Sequence, residues 1–82
     1  MDELVKRLES LPLDCESKDF GLLVSDAIKQ LDITNQELMR EFSMSAPTAE
    51  RWRNGEAEPL SALRKHVIRF FLKKAHEKES KS

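Results

Sequence analysis

The stretch from Thr34 to Gly55, TNQELMREFSMSAPTAERWRNG, contains two short helical patterns with only three residues between them. Thr34 followed by Glu37 is a capping-box signature, in which the hydroxyl binds the third amide of a helix and the carboxylate binds back. The pattern predicts a helix over 35–42, with Leu38 and Phe42 on its inner side, followed by the turn SMS.

The second helix of this stretch is predicted over 46–54. Ser45 followed by Pro47 indicates its start, because the N–H that proline lacks is not required in a first helical turn. Gly55 indicates its end, since glycine is the residue that most readily takes the left-handed conformation after a helix. The turn between the two helices is therefore short.

The helical periodicity divides the second helix into two faces. At about 100° per residue, Trp52 and Ala49 fall on one side, which we predict to be buried. The other side is small and polar, and we predict it to face solvent: Ala46, Pro47, Glu50, Arg51 and Asn54. One anchored side and one free side are what a helix needs to enter a DNA major groove about 12 Å wide.

The rest of the chain also reads as helical. No stretch alternates between apolar and polar residues over a useful length, so strands are not predicted. We predict an all-α fold, a compact five-helix bundle in which the last helix spans about 60–75. Residues 1–78 are predicted to form a single domain, and 79–82 a polar, disordered tail.

The segment from Leu31 to Pro59 resembles the helix-turn-helix of the lambdoid phage repressor and Cro-like family, the XRE-type regulators. The resemblance rests on NQELMREF as the first motif helix, SMS as the turn, APTAERW as the recognition helix, and the Trp-x-x-Gly spacing that follows. It implies a lambda repressor-like DNA-binding domain, and so a small transcriptional regulator that binds double-stranded DNA through a helix-turn-helix at 34–55.

The resemblance also implies roles for individual residues. Asn35 stands where the family commonly has a glutamine that binds a phosphate, and Arg51 is the one residue able to make a bidentate contact to guanine. Arg53 lies at the core margin, where a phosphate contact and packing remain alternatives. The resemblance implies these DNA-binding residues: Asn35, Ser45, Ala46, Pro47, Thr48, Glu50, Arg51, Arg53 and Asn54.

Several positions depart from the family pattern. Ser43 occupies a turn position where the family usually has glycine, which would cost about 1–2 kcal/mol if that position needs a positive φ. Glu50 on the outward face repels phosphate, although it could accept from a cytosine amino group. Glu56 and Glu58 lie in a loop that often carries basic residues in the family. These carboxylates oppose tight DNA binding.

Charge is unevenly distributed along the chain, although the net charge is only −1. Residues 1–20 carry six acidic and three basic side chains, whereas residues 64–82 carry seven basic and two acidic ones. Such a chain can still present one positive face. The lone Cys15 suits a reducing compartment, and no export signal or membrane span is evident, so we predict a cytoplasmic protein.

The sequence favours no enzymatic, metal or cofactor chemistry. His66 and His76 are ten residues apart and lack the spacing of a metal site. No nucleophile and base can be paired, and no glycine-rich phosphate loop is present. We expect no catalytic residue, no metal and no cofactor.

The last helix leaves two alternatives open. Its apolar residues cover a wider arc than the stripe of about 100° that packing on one side requires. Either the helix packs deep among the others, or part of its surface binds a homodimer partner or another protein, through Leu63, Val67, Phe70 and Phe71. The second alternative suits a protein-interaction adaptor that keeps a helix-turn-helix frame without binding DNA. No membrane contact is expected.

Overall fold

The computed structural model describes residues 2–10 and 16–80. The ends of its helices are set by the side chains next to them. Its five helices are α1 (Asp2–Ser10), α2 (Ser17–Gln30), α3 (Asn35–Phe42), α4 (Ala46–Asn54) and α5 (Arg64–Ser80), with a short 3-10 turn at Ser61–Leu63 before α5. The all-α prediction is confirmed for this part of the chain. Its Cα radius of gyration is 11.8 Å, as expected for a compact chain of this length, about 12 Å. Cys15 lies outside the described residues.

The start of α3 confirms the capping box. The Thr34 hydroxyl accepts a hydrogen bond from the Glu37 backbone N–H at 3.1 Å, and the Thr34 backbone N–H donates to the Glu37 carboxylate at 3.3 Å. A helix start leaves several backbone N–H groups without intrahelical partners. The side chains of Thr34 and Glu37 each accept from one of these groups. The predicted bounds of α3 and α4 are both confirmed.

α4 ends at a left-handed glycine, as predicted. Gly55 has φ +74°, and its N–H and that of Glu56 donate to the carbonyls of Trp52 and Arg51. The buried Ser25 of α2 adds a bond from its hydroxyl to the Arg53 carbonyl oxygen at 2.6 Å. Carbonyls in the last turn of a helix lack intrahelical partners, and these contacts supply them.

One core joins all five helices. α4 packs mainly on α2 and α3, whereas α5 packs mainly on α1 and on the turn before it. The core consists of these buried side chains: Leu4, Leu8, Phe20, Leu23, Val24, Ala27, Ile28, Leu31, Ile33, Leu38, Ala49, Trp52, Val67, Phe70, Phe71 and Ala75. Trp52, predicted to be buried, is 4% exposed.

The last helix corrects two predictions. α5 runs from Arg64 to Ser80 and not over 60–75, so Glu79 and Ser80 of the predicted tail are helical; Lys81 and Ser82 lie outside the described residues. The predicted partner face is wrong in its main residues, because Val67, Phe70 and Phe71 are buried in the chain's own core and Leu63 is half-buried. The wide apolar arc is therefore explained by packing. Within residues 2–10 and 16–80, no helix is long and apolar enough to cross a membrane.

Candidate nucleic-acid interface

α4 presents one face to the core and one to solvent. Ala49 and Trp52 are buried, and the Trp52 ring lies 5.4 Å from the Phe42 ring of α3, centroid to centroid. The predicted outward residues are all exposed: Ala46, Pro47, Glu50, Arg51 and Asn54. The periodicity therefore predicted both faces correctly.

The start of α4 is organised by two hydroxyl groups. Ser45 is the N-cap, and its Oγ accepts a hydrogen bond from the Thr48 backbone N–H at 3.4 Å. The same Oγ lies 3.0 Å from Thr48 Oγ1, so the two hydroxyls also bind each other. Both serve the helix start, and Ser45 stays exposed while Thr48 is half-buried. Backbone N–H groups of a helix start, with small side chains around them, can approach an anion closely.

Asn35, Glu50 and Arg53 form a hydrogen-bonded group, called here the α3–α4 network. The Arg53 guanidinium donates to Asn35 Oδ1 at 2.8 and 3.1 Å, and to the Ile33 carbonyl oxygen at 2.7 Å. Asn35 Nδ2 donates to Glu50 Oε2 at 2.8 Å. The network joins the α2–α3 connection, the start of α3 and the middle of α4.

The network separates the predicted site residues into two groups. Asn35, Glu50 and Arg53 are tied to each other, and Arg53 is half-buried between helices. Arg53 is thus packed between helices, as one of its two alternatives predicts, and the other, a phosphate contact, stays a prediction. Asn35 keeps one N–H of its amide beyond the bond to Glu50, because a carboxamide nitrogen carries two.

Arg51 differs from Arg53 although both lie on α4. Its side chain is exposed, and its guanidinium makes no ion pair or hydrogen bond with any other residue in the described ranges. Arg51 also forms no ion pair with the neighbouring Glu50, which accepts from Asn35. Of the two arginines of α4, Arg51 is thus the one whose side chain has no ion pair or hydrogen bond within the described residues.

Acidic groups remain close in sequence to this surface. Glu56 and Glu58 are both exposed in the loop after α4. The loop lies close to α2, because a Cβ atom added at Gly21 would be 3.3 Å from Glu58 Cβ. Glycine at position 21 therefore permits this close approach. This explains why a residue of weak helix propensity lies inside α2.

Sequence reasoning missed two groups that hold the site in place. Ser25 lies between Val24 and Asp26 in α2, and nothing local indicates that it binds α4. The ion pair between Lys74 of α5 and Glu37, and the contact between Glu41 and His66, join residues far apart in sequence. Their only sequence signal is charge at matching helical faces.

Comparison of the chain with protein-family models, with curated proteins and with solved structures finds no match in any of the three.

Proposed function

We propose that this protein binds double-stranded DNA sequence-specifically, with α3 and α4 acting as a helix-turn-helix and α4 entering the major groove. The observation that carries the proposal is the exposed face of α4, where the unpaired Arg51 projects beside small residues. On the opposite face Trp52 packs against Phe42 of α3, and the bond from Arg53 to Asn35 holds the end of α4 to the start of α3. A reading surface of this kind requires a fixed helix and free side chains.

The dimensions of α4 suit the groove. An α-helix with its side chains is about 10–12 Å in diameter, and the major groove is about 12 Å wide, so the nine residues of α4 can lie within it. Ala46 and Pro47 are small and exposed at the N-terminal end, the end that enters first in the helix-turn-helix class. They let the backbone come close to the bases and offer apolar contact to a thymine methyl group.

Each polar residue has a role in the proposal. Arg51 reads a guanine through O6 and N7, a contact worth about 1–3 kcal/mol of discrimination. Ser45, Thr48 and the remaining Asn35 N–H bind phosphates, which fix the register on the duplex without reading sequence. Asn54 lies at the exposed end of α4, at the edge of the groove.

Glu50 has a place in this proposal despite its charge. Its carboxylate accepts the Asn35 amide at 2.8 Å, which orients it along the protein surface. Only one of its oxygens is engaged in this bond, so the other can accept from a cytosine amino group. The cost is local repulsion of phosphate, and the proposed affinity is accordingly modest.

The test is selection from a pool of random duplexes, followed by titration of the selected site. Arg51→Ala is expected to reduce discrimination at one guanine position by about 5- to 150-fold, the range that 1–3 kcal/mol implies, while the fold survives. Arg40→Ala is the matched control, because it removes another exposed guanidinium, from α3, and should leave the base preference unchanged. A pool that yields no enriched sequence would contradict the proposal.

A protein-interaction adaptor is the second candidate function. Two observations favour it. Leu22 and Leu60 are exposed, at 51% and 74%, and the loop after α4 carries the acidic residues Glu56 and Glu58. Duplex binding that is absent at micromolar protein and low salt would favour the adaptor, since phosphate binding strengthens steeply as salt falls.

A further inference from the structure

The basic residues of α5 divide into paired and unpaired groups. Lys74 binds Glu37 of α3, and Lys78 binds Asp32 at 2.6 Å and the Gln30 carbonyl oxygen at 3.1 Å. Three other cations are exposed and have no ion pair or hydrogen bond within the described residues: Lys65, Arg69 and Lys73. These three are called the α5 stripe.

The α5 stripe is regular. Its members are four residues apart, so successive Cα atoms rise about 6 Å along the helix and all three fall within an arc of about 80°. This arc points away from the core side, where Val67 and Phe71 are fully buried. The stripe is therefore a straight row of positive charge on the outer surface.

The carboxylates nearest the row contact other basic residues. Glu77 is turned toward Lys74, with 3.9 Å between Oε2 and Nζ. Across the groove between α3 and α5, Glu37 binds Lys74 and Glu41 binds His66.

One exposed cation of α3 lies near the α5 stripe. Arg40 of α3 and Lys73 of the stripe both line the groove between α3 and α5, together with the carboxylates of Glu37, Glu41 and Glu77. The Arg40 side chain is exposed and makes no ion pair with another described residue. Arg40 therefore adds one exposed cation close to the end of the stripe at Lys73.

We infer that the α5 stripe is a second DNA contact, which binds the phosphate backbone of a duplex without reading its sequence. The inference rests on the proposed function for its choice of ligand. A polyanion with evenly spaced charges complements a row of evenly spaced cations, and the contact should release counterions from the duplex.

The absence of exposed apolar side chains on the stripe favours a nucleic acid over a protein or a membrane. Protein interfaces have an apolar core, and helices that lie on membranes bury an apolar face in the lipid. On α5, Ile68 and Leu72 beside the stripe are half-buried, and the large apolar residues Val67 and Phe71 are in the core. The exposed Leu22 and Leu60 lie outside α5.

The stripe and α4 should make separable contributions to binding. α4 packs on α2 and α3, whereas α5 packs mainly on α1. A contact made by exposed cations alone adds affinity equally to every sequence. The α5 stripe should therefore determine salt dependence, and α4 should determine base preference.

The experiment measures binding of the full chain to a random-sequence duplex between 50 and 200 mM salt. The variant Lys65→Gln/Arg69→Gln/Lys73→Gln is compared with Lys6→Gln/Lys18→Gln/Lys29→Gln, which removes three exposed cations from α1 and α2. Loss of three phosphate contacts should lower the slope of log K against log salt by about 2.7, so the wild type should lose about 40-fold more affinity over this range than the α5 variant. Circular dichroism of both variants checks that α5 remains helical.

Several results would overturn the inference: no duplex binding by the wild type at 50 mM salt, an unchanged slope in the α5 variant, or an equal change in the control. Stripe-dependent binding to polyglutamate or to anionic vesicles, without binding to the duplex, would overturn it in favour of an acidic protein or a membrane. The proposed function is tested separately by the selected site. Stripe-dependent binding with no preferred sequence supports the stripe and contradicts sequence-specific reading, whereas a preferred sequence with an unchanged slope does the reverse.

Discussion

α3 contacts α4 on one side and α5 on the other, and the two sides are held together differently. Toward α4, Asn35 binds Arg53 and Glu50 through hydrogen bonds of 2.8–3.1 Å, and Leu38 and Ala49 are fully buried. The Asn35 amide, the Ile33 carbonyl and the Arg53 guanidinium do not change charge over the ordinary pH range.

Toward α5 the polar contacts are ionic and lie at the rim of an aromatic cluster. Phe42 packs against the rings of His66 and Phe70, at 4.6 and 5.4 Å between centroids. Next to these rings, Glu37 pairs with Lys74, and Glu41 Oε2 lies 2.7 Å from His66 Nε2. The bond between Glu37 and Lys74 shifts the pKa of both groups, and the contact between Glu41 and His66 is an ion pair only if the imidazole is protonated.

The difference indicates which part of the molecule responds to solution conditions. Ion pairs at a surface weaken with salt and with titration of either partner. Hydrogen bonds among groups of constant charge do not depend on pH in this way. Changes of pH should therefore act on the α5 side of α3 while the orientation of α4, and with it the proposed reading face, is retained.

The largest effect is expected from Arg53→Met, which breaks the α4 side. It removes three hydrogen bonds and leaves the Ile33 carbonyl and Asn35 Oδ1 without their donor. We expect the free energy of unfolding to fall by about 2 kcal/mol, because half-buried polar groups lose their partner. Urea denaturation measures it.

Arg51→Met is the control for that experiment. It makes the same chemical change on the same helix, at an exposed residue without intramolecular contacts, so stability should change by less than about 0.5 kcal/mol. Equal losses in the two variants would mean that the α3–α4 network does not hold α4, and the contrast between the two sides would fail.

A smaller gain is expected from Ser43→Gly, in the turn that joins α3 to α4. Ser43 has φ +52°, a left-handed conformation that costs a residue with a Cβ about 1–2 kcal/mol. Glycine removes this cost but adds freedom to the unfolded chain, so a net stabilisation of about 0.5–1 kcal/mol is expected in the melting transition.

Ser45→Gly is the matched control for the turn. Its φ is −78° and its hydroxyl caps α4, so glycine there should lower stability by a few tenths of a kcal/mol. A gain at position 45, or none at position 43, would show that the left-handed conformation is not the source of strain.

Local chemistry explains what could be predicted. The capping box at Thr34, the burial of Trp52 and the left-handed Gly55 each depend on a few neighbouring residues and a helical period, and all three are confirmed. Strain at Ser43 is predicted only on the condition that its φ is positive. The position is singled out by the family resemblance, which usually has glycine there, and not by any local pattern.

Contacts between distant residues could not be predicted in the same way. Whether Arg53 would pack or face outward depended on the rotation of α4 against α3, and its partner Asn35 is eighteen residues away. The apolar arc of α5 was compatible with a partner face, since a helical wheel does not show how many neighbours surround a helix. In the structure α5 packs against α1 and contributes to the aromatic cluster, so its apolar arc belongs to the core.

The smallest effect, and the sharpest test of the α5 side, is the pH dependence of the Glu37–Lys74 pair. The hydrogen bond from Lys74 holds the pKa of the Glu37 carboxyl below its ordinary value of 4.5, against the opposing effect of partial burial. The same bond raises the pKa of Lys74 above 10.5. Removing the pair should cost no more than about 1 kcal/mol at neutral pH, because it lies near the surface.

The sign of the pH dependence follows from these directions. Because the pKa of Glu37 is lower in the folded state, the unfolded chain binds more protons in acid, and the contribution of Glu37 is complete above pH 4.5 and disappears as pH falls through the folded value. The contribution of Lys74 is complete below pH 10.5 and disappears as pH rises through its folded value.

Glu37→Gln is the informative change, because glutamine can keep the capping-box bond to Thr34 while losing the charge. We expect the free energy of unfolding of this variant to fall less steeply below pH 4.5 than that of the wild type, and Lys74→Met to flatten both the acid and the alkaline limb. Glu9→Gln, which neutralises an exposed carboxylate of α1, should leave both limbs as they are. If Glu37→Gln and Glu9→Gln gave the same profile, the ion pair would contribute nothing to the α5 side, and that side would depend on the packing of Phe42 against His66 and Phe70 and on the contact between Glu41 and His66.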